Sequence, residues 1–151
     1  MTKLRLTVCE FDSLSSTFPL WSKIYVTLDD IDFPSEHWYD ATSSILEMWI
    51  HQVNSLICGS QRHAKLFFMD GDYYIDILAH NRICATIQCV NPGGIPIIYE
   101  NIDLIYFGRQ LLAAVGNIIK CFPRHDGSAR MQALQSATKL LKETIKAVKQ
   151  L

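Results

Sequence analysis

The sequence predicts an α+β fold: a single domain, residues 1–151, with an antiparallel β-sheet of about five to six strands and helices packed on one face, two of them C-terminal. Three observations favour this class. Apolar and polar residues alternate in two early segments, as in half-buried strands. Short apolar segments separated by turn residues follow, and helical apolar spacing occupies the last third of the chain.

Two strands are predicted at the start. Leu4, Leu6 and Val8 alternate with polar residues, so one face of this segment can be buried. A Ser-rich loop at residues 12–17 follows, and a second alternating segment extends from about Lys23 to Leu28.

The apolar period becomes helical between Asp40 and Cys58, where Ile45, Trp49 and Val53 share one face. Asp40 stands where an N-cap is expected, and Gly59 stands where a helix often ends in a left-handed residue.

The middle of the chain predicts an antiparallel meander. Strands at residues 64–69 and 73–79 flank Asp70-Gly71, a dipeptide that suits a tight hairpin turn. Strands at residues 82–90 and 95–102 follow, and Pro96 places the last of them at an edge of the sheet because proline cannot donate to a ladder.

Two helices are predicted at the end. The first begins at about Tyr106 and stops at Pro123, and Ser128 can cap the second. The apolar stripe of the second helix consists of Met131, Leu134, Ala137, Leu141, Ile145, Val148 and Leu151.

Charge is distributed unevenly along the chain. The net charge is −1, but it is −5 over residues 1–61, −2 over residues 62–103 and +6 over residues 104–151. The basic third is explained most simply as the solvated face of the terminal helix. The acidic part fits a surface that meets a basic partner, because complementary charge accelerates encounter. The pI of about 6.5 argues against nucleic acid as the partner.

The five cysteines have no metal-ligand or C-x-x-C spacing. Most lie in apolar runs, so we expect free thiols that are mostly buried, the pattern of a reducing compartment. The N-terminus does not read as a signal peptide, and no apolar run approaches the length of a membrane span. The sequence therefore predicts a cytoplasmic protein that does not enter a membrane.

No catalytic, metal or cofactor motif stands out. Asp70, Asp72 and Asp76 form a carboxylate cluster, but a calcium loop would need a glutamate where Asn81 stands. A nucleophile elbow and a phosphate-binding glycine loop with its lysine are also missing. We therefore expect no enzyme activity, no metal and no cofactor.

An acidic loop interleaved with aromatic residues is the strongest functional candidate. Carboxylates can steer a basic partner, and exposed rings can anchor it. The candidate partner-binding residues are Asp29, Asp30, Asp32, Phe33, Glu36, Trp38, Tyr39 and Asp40, with Asp70 and Asp72 added if the hairpin lies on the same side. The alternative is a solvated loop whose aromatic rings fold back onto the core.

The segment at residues 66–74, LFFMDGDYY, follows a tryptophan-bearing helix and precedes a helical C-terminus containing LLAAV at residues 111–115. In this organisation the chain resembles small cytoplasmic immunity proteins of bacterial polymorphic-toxin systems, including those of contact-dependent growth inhibition. The resemblance covers most of the chain as a layout and residues 66–74 as a motif. It implies binding to a cognate toxin domain rather than catalysis, and it assigns no individual contact residue.

The function expected from the sequence is therefore an immunity protein that binds and neutralises a toxin domain, a basic nuclease, through the acidic surface. The alternatives are a non-catalytic adaptor, a regulatory module that self-associates through the terminal helix, or a small-molecule-binding protein or enzyme with a dispersed site. The oligomeric state stays open, with a monomer favoured.

Overall fold

The computed structural model describes residues 1–12, 18–122 and 127–150. Within these ranges, eight strands and three helices form an α+β fold with two C-terminal helices, which confirms the predicted class. The predicted loop at residues 13–17, the helix stop at Pro123 and the apolar Leu151 lie outside the described residues. The elements are β1 (Arg5–Cys9), β2 (Ser22–Leu28), β3 (Ile31–Phe33), β4 (Tyr39–Asp40), α1 (Thr42–Cys58), β5 (His63–Phe67), β6 (Tyr74–Ala79), β7 (Cys84–Val90), β8 (Ile97–Asp103), α2 (Leu104–Cys121) and α3 (Ala129–Lys149).

The strands form two four-stranded antiparallel sheets rather than one sheet of five to six. In the first, β2 pairs with β1 along one edge and with both β3 and β4 along the other. The predicted acidic loop is thus partly strand. It folds back because Asp29 and Asp30 both adopt positive φ, at 47° and 62°, and connect the paired residues Leu28 and Ile31. Two left-handed residues match the twist of a two-residue hairpin.

The second sheet has the strand order β5-β6-β7-β8. The prediction that the strand after Pro96 lies at an edge is confirmed. The hairpin around Asp70-Gly71 exists, but it is wider than predicted because β5 ends at Phe67, which pairs with Tyr74. The connecting residues include Phe68, whose buried ring explains the widening.

All three helices were predicted, and their ends follow local capping chemistry. Gly59 ends α1 with φ at +84°, and the Ser128 hydroxyl accepts from the Met131 N–H at the start of α3, both as expected. The N-cap predicted at Asp40 is wrong, because Ala41 occupies that position and no side chain caps α1. Asp103 caps α2, which begins at Leu104, two residues before the predicted start.

One hydrophobic cluster joins both sheets and the three helices. Trp49 of α1 is fully buried in it, and its indole N–H donates to the Phe67 carbonyl of β5 at 2.9 Å. The side chain therefore fixes α1 against the edge of the second sheet. None of the helices in the described ranges is long and apolar enough to cross a bilayer.

The five cysteines are unpaired, but the expectation that most are buried is wrong. Only Cys89 is buried, whereas Cys58 and Cys121 are exposed. Cys89 points to the inner face of β7, and burial raises the pKa of its thiol to about 12.

Candidate partner-binding surface

The structure divides the ten predicted partner-binding residues into a buried group and an exposed group. Phe33 and Asp40 are buried and Trp38 is half-buried, so they do not form an open contact surface. The remaining seven are exposed or half-exposed: Asp29, Asp30, Asp32, Glu36, Tyr39, Asp70 and Asp72.

Asp40 is a structural residue rather than a contact. Its side chain is 0% exposed, and its carboxylate accepts four hydrogen bonds. The Trp38 indole N–H, at 2.9 Å, and the backbone N–H groups of Met69 and Asp70, at 2.9 and 3.1 Å, donate to Oδ2. The Ala41 N–H donates to Oδ1 at 2.7 Å. The carboxylate therefore joins the start of α1 to the β5–β6 hairpin.

The two predicted anchors Phe33 and Trp38 fold back onto the core, so for them the alternative reading holds. The Phe33 ring lies edge-on to Phe68, with 5.8 Å between centroids. The Trp38 ring lies edge-on to Tyr73 at 5.0 Å. Both rings are aromatic packing partners of the β5–β6 hairpin, which is why they are not available as anchors.

The same packing brings the two acidic segments together. A Cβ on Gly71 would lie 3.6 Å from the Trp38 ring, so the hairpin tip contacts the segment that precedes α1. Asp70 and Asp72 flank this glycine and are exposed. The hairpin tip therefore lies next to the segment that joins β3 to β4.

The exposed carboxylates follow the length of the first sheet. Asp29 and Asp30 form the turn at one end of β2, whereas Tyr39 pairs with Lys23 near the other end. Seven strand residues separate these ends by roughly 20 Å at about 3.3 Å per residue. The acidic residues therefore form a strip rather than a cluster.

Alternation along β2 decides which side chains this strip presents. Ser22, Ile24, Val26 and Leu28 are buried, so the intervening residues point outward. Tyr25 is one of them, and Trp21, just before β2, stacks on Tyr39 with 5.7 Å between ring centroids. Trp21 and Tyr25 were not among the residues predicted from the sequence. The alternation from Ser22 to Leu28 is the signal that could have indicated that Tyr25 points away from the core.

We call this surface the acidic face, and it combines Asp29, Asp30, Asp32, Glu36, Trp21, Tyr25 and Tyr39. Asp32 is half-buried and accepts from the Thr27 hydroxyl at 2.6 Å, which holds its carboxylate on the outer side. Two cations lie on the same side: Arg5 of β1 is exposed opposite Thr27, and Lys23 is paired with Glu10. That pairing lowers the pKa of Glu10 and raises the pKa of Lys23.

Two surface cavities lie away from the acidic face. One of about 380 Å³ lies between α1 and β5 and is lined by Met48, His51, Lys65 and Phe67 among others. The other, of about 150 Å³, contains Arg62, His80 and Arg82 at the end of α1. Among residues 1–12, 18–122 and 127–150, no three histidine, cysteine or carboxylate side chains are grouped to hold a metal ion.

The comparisons with known proteins place no relative beside this chain. No protein-family description matches the sequence. No curated protein and no solved structure matches it either. The α+β fold and the acidic face are therefore the observations that bear on its function.

Proposed function

We propose that this protein binds a basic protein partner through the acidic face, and that it acts as an immunity protein that neutralises a cognate toxin domain, a basic nuclease. The observation that carries the proposal is the outer side of the first sheet. There, exposed carboxylates begin at the β2–β3 turn, and the rings of Trp21 and Tyr39 stack on each other at the opposite end of β2.

The chemistry of the acidic face supports a protein partner. A site that holds phosphate groups carries positive charge, and a strip of carboxylates complements it and accelerates association. Aromatic rings on a sheet supply contact area at little cost in side-chain entropy, which is why tyrosine and tryptophan are enriched where proteins meet. The proposed anchors are Tyr39, which was predicted, and Trp21, which takes the place of Phe33 and Trp38.

The first experiment is a pull-down of the tagged protein with the product of the neighbouring gene expressed, at low and at moderate salt. We expect recovery of one basic protein that is released more readily as salt rises, because screening weakens attraction between exposed charges. Recovery of no protein at either salt concentration would contradict the proposal.

The acidic face is tested by removing charge without disturbing the turn. Asp29 and Asp30 have positive φ, which asparagine tolerates well, so Asp29→Asn with Asp30→Asn neutralises the turn and keeps its shape. Asp76→Asn with Glu143→Gln is the matched control, with the same change in net charge elsewhere. We expect association with the recovered partner to slow by roughly three- to tenfold at low salt in the turn variant alone. Equal rates in both variants would show that the acidic face is not the contact.

A further inference from the structure

The outer edge of β8 is an edge of the second sheet with unpaired backbone groups in the part of the chain that the structure describes. β8 is the last strand of its sheet and pairs with β7 on one side. On its other side, among the residues that the structure describes, only its end is covered. The Thr2 N–H donates to the Asn101 carbonyl at 2.7 Å, and the Asp103 N–H donates to the Thr2 carbonyl at 2.9 Å. This edge therefore already accepts a backbone from outside its sheet.

The rest of the edge, residues 97–100, is unpaired in the part of the chain that the structure describes. Apart from the ladder to β7, none of its backbone groups makes a hydrogen bond to another described residue. Ile98 is 58% exposed and Ile95, just before the strand, is 89% exposed. An exposed apolar edge with free backbone donors and acceptors is a template for a further strand.

Natural sheets protect such edges with lysine, with proline or by twisting the edge away. Here Pro96 stands before the strand rather than in its open part, and the bulge of β8 lies next to its covered end, between Tyr99 and Ile102, where Asn101 has a φ of 56°. Residues 83–108 contain no lysine or arginine. The only charged residues in that span are Glu100 and Asp103. The edge is therefore apolar and acidic, without the basic residues that would repel a basic strand.

The acidic turn lies beside this edge. A small cavity is lined by Leu28 and Ile31 from the two sides of the β2–β3 turn and by Ile97 and Tyr99 from β8. Burial raises the pKa of Tyr99, and the charge of Asp29 adds to that rise, which places the turn carboxylate within electrostatic reach of β8. The cavity lies on the inner side of the first sheet, where Val26 and Phe33 also line it, so the part of the acidic face that reaches β8 is the Asp29-Asp30 turn.

We propose that the open edge of β8 takes up an extended, lysine- or arginine-bearing segment of the protein partner as a fifth strand of the second sheet. This inference rests on the proposed function, because it names how the basic partner is held. Backbone hydrogen bonds to residues 97–100 hold the segment, and the carboxylates of Asp29, Asp30 and Glu100 select its charge. A second copy of this chain fits less well, because pairing two β8 edges brings acidic residues against acidic residues.

The binding chemistry is tested with a peptide of about ten residues, the length of a long strand, that alternates valine and lysine, against a matched valine–glutamate peptide. Hydrogen exchange reports on the edge directly. We expect the basic peptide, and not the acidic one, to slow exchange of at least one amide among residues 97–100. Protection elsewhere, equal protection by both peptides, or no protection at millimolar peptide would overturn the inference.

A pair of variants distinguishes binding at the edge of β8 from binding on the outer face of the sheet. Ile98→Lys places a cation on the edge strand, and Leu78→Lys, at a residue that is 49% exposed, places the same cation on the interior strand β6. We expect Ile98→Lys to lower the affinity for the basic peptide and for the recovered partner by about tenfold or more. Leu78→Lys should change both affinities by less than about threefold.

The outcomes distinguish the two proposals. If the pull-down recovers a partner that binds wild type and Ile98→Lys equally well, the proposed function stands and the addition of a strand at β8 is refuted. Recovery of no partner, together with protection of residues 97–100 by the basic peptide alone, refutes the immunity function and supports the edge as a basic-strand site.

Discussion

Replacing Asp40 with alanine removes the acceptor that four donors share, of which the Ala41 N–H is buried and the other three are partly buried, and the structure lets the cost be estimated. The Trp38 indole and three backbone N–H groups, of Ala41, Met69 and Asp70, lose their partner together. A hydrogen bond to a charged group contributes about 1.5–3 kcal/mol, but such terms are not additive when they share one acceptor. One unsatisfied buried donor costs about 1–3 kcal/mol, and because the other three donors are partly open to water, we expect a total loss of about 3–5 kcal/mol.

Asp40→Asn separates the loss of charge from the loss of acceptors. An amide oxygen placed at the Oδ2 position can still accept from Trp38, Met69 and Asp70. The amide nitrogen then faces the Ala41 N–H, so one donor is left without an acceptor. We expect this variant to lose about 1–3 kcal/mol, the cost of one unsatisfied buried group.

Urea unfolding followed by circular dichroism measures both losses. With a slope of about 2 kcal/mol per molar urea, a loss of about 4 kcal/mol lowers the midpoint by about 2 M. Asp32→Ala is the control, because that half-buried carboxylate has one hydrogen bond, from Thr27, and should cost about 1 kcal/mol. A loss below about 1 kcal/mol in Asp40→Ala would refute the view that this carboxylate holds the hairpin against α1.

Two glycines and one thiol provide the remaining predictions. Gly59→Ala should destabilise the protein by about 1 kcal/mol, because φ is +84° and the new Cβ would lie 3.2 Å from Arg82 Nε. Gly116→Ala should instead stabilise the protein by about 0.5–1 kcal/mol in thermal unfolding, because Gly116 lies in the interior of α2 and no atom lies within 4 Å of the new Cβ. A change in stability of the same sign in both glycine variants would contradict these expectations. Because the pKa of Cys89 is raised from 9.0 to about 12, its contribution to stability is complete below pH 9.0 and is lost as pH rises toward 12. Urea titrations at increasing pH should show that the free energy of unfolding falls by up to about 1.4 kcal/mol per pH unit in the wild type and by less in Cys89→Ala. The same pH dependence in both proteins would assign the loss to other groups.

Elements with a local signal were the ones that could be predicted. Ser128 and Gly59 sit at helix ends because a hydroxyl accepts free N–H groups and a glycine tolerates positive φ, and both reasons act within a few residues. The edge position of β8 followed from Pro96 for the same kind of reason. The turn at Asp29-Asp30 was missed because aspartate merely tolerates the left-handed conformation for which glycine and asparagine are the usual signals.

The candidate surface depended on contacts between distant parts of the chain. Asp40 accepts from Met69 and Asp70, which lie 29 and 30 residues away, and no local pattern distinguishes this buried carboxylate from its exposed neighbours. The same holds for Phe33 and Trp38, whose rings both pack edge-on against Phe68 and Tyr73 of the β5–β6 hairpin.

By itself, the sequence determined the α+β class, the three helices, most of the strands and the uneven distribution of charge, because periodicity, capping and composition are properties of short segments. Only the tertiary structure decided that the strands form two sheets, that Phe33 and Trp38 are packing residues while Tyr39 is exposed, and that the acidic turn lies beside the open edge of β8. The physical reason is that burial is a property of the assembled molecule: a carboxylate or an aromatic ring becomes a surface or a core residue according to what packs against it.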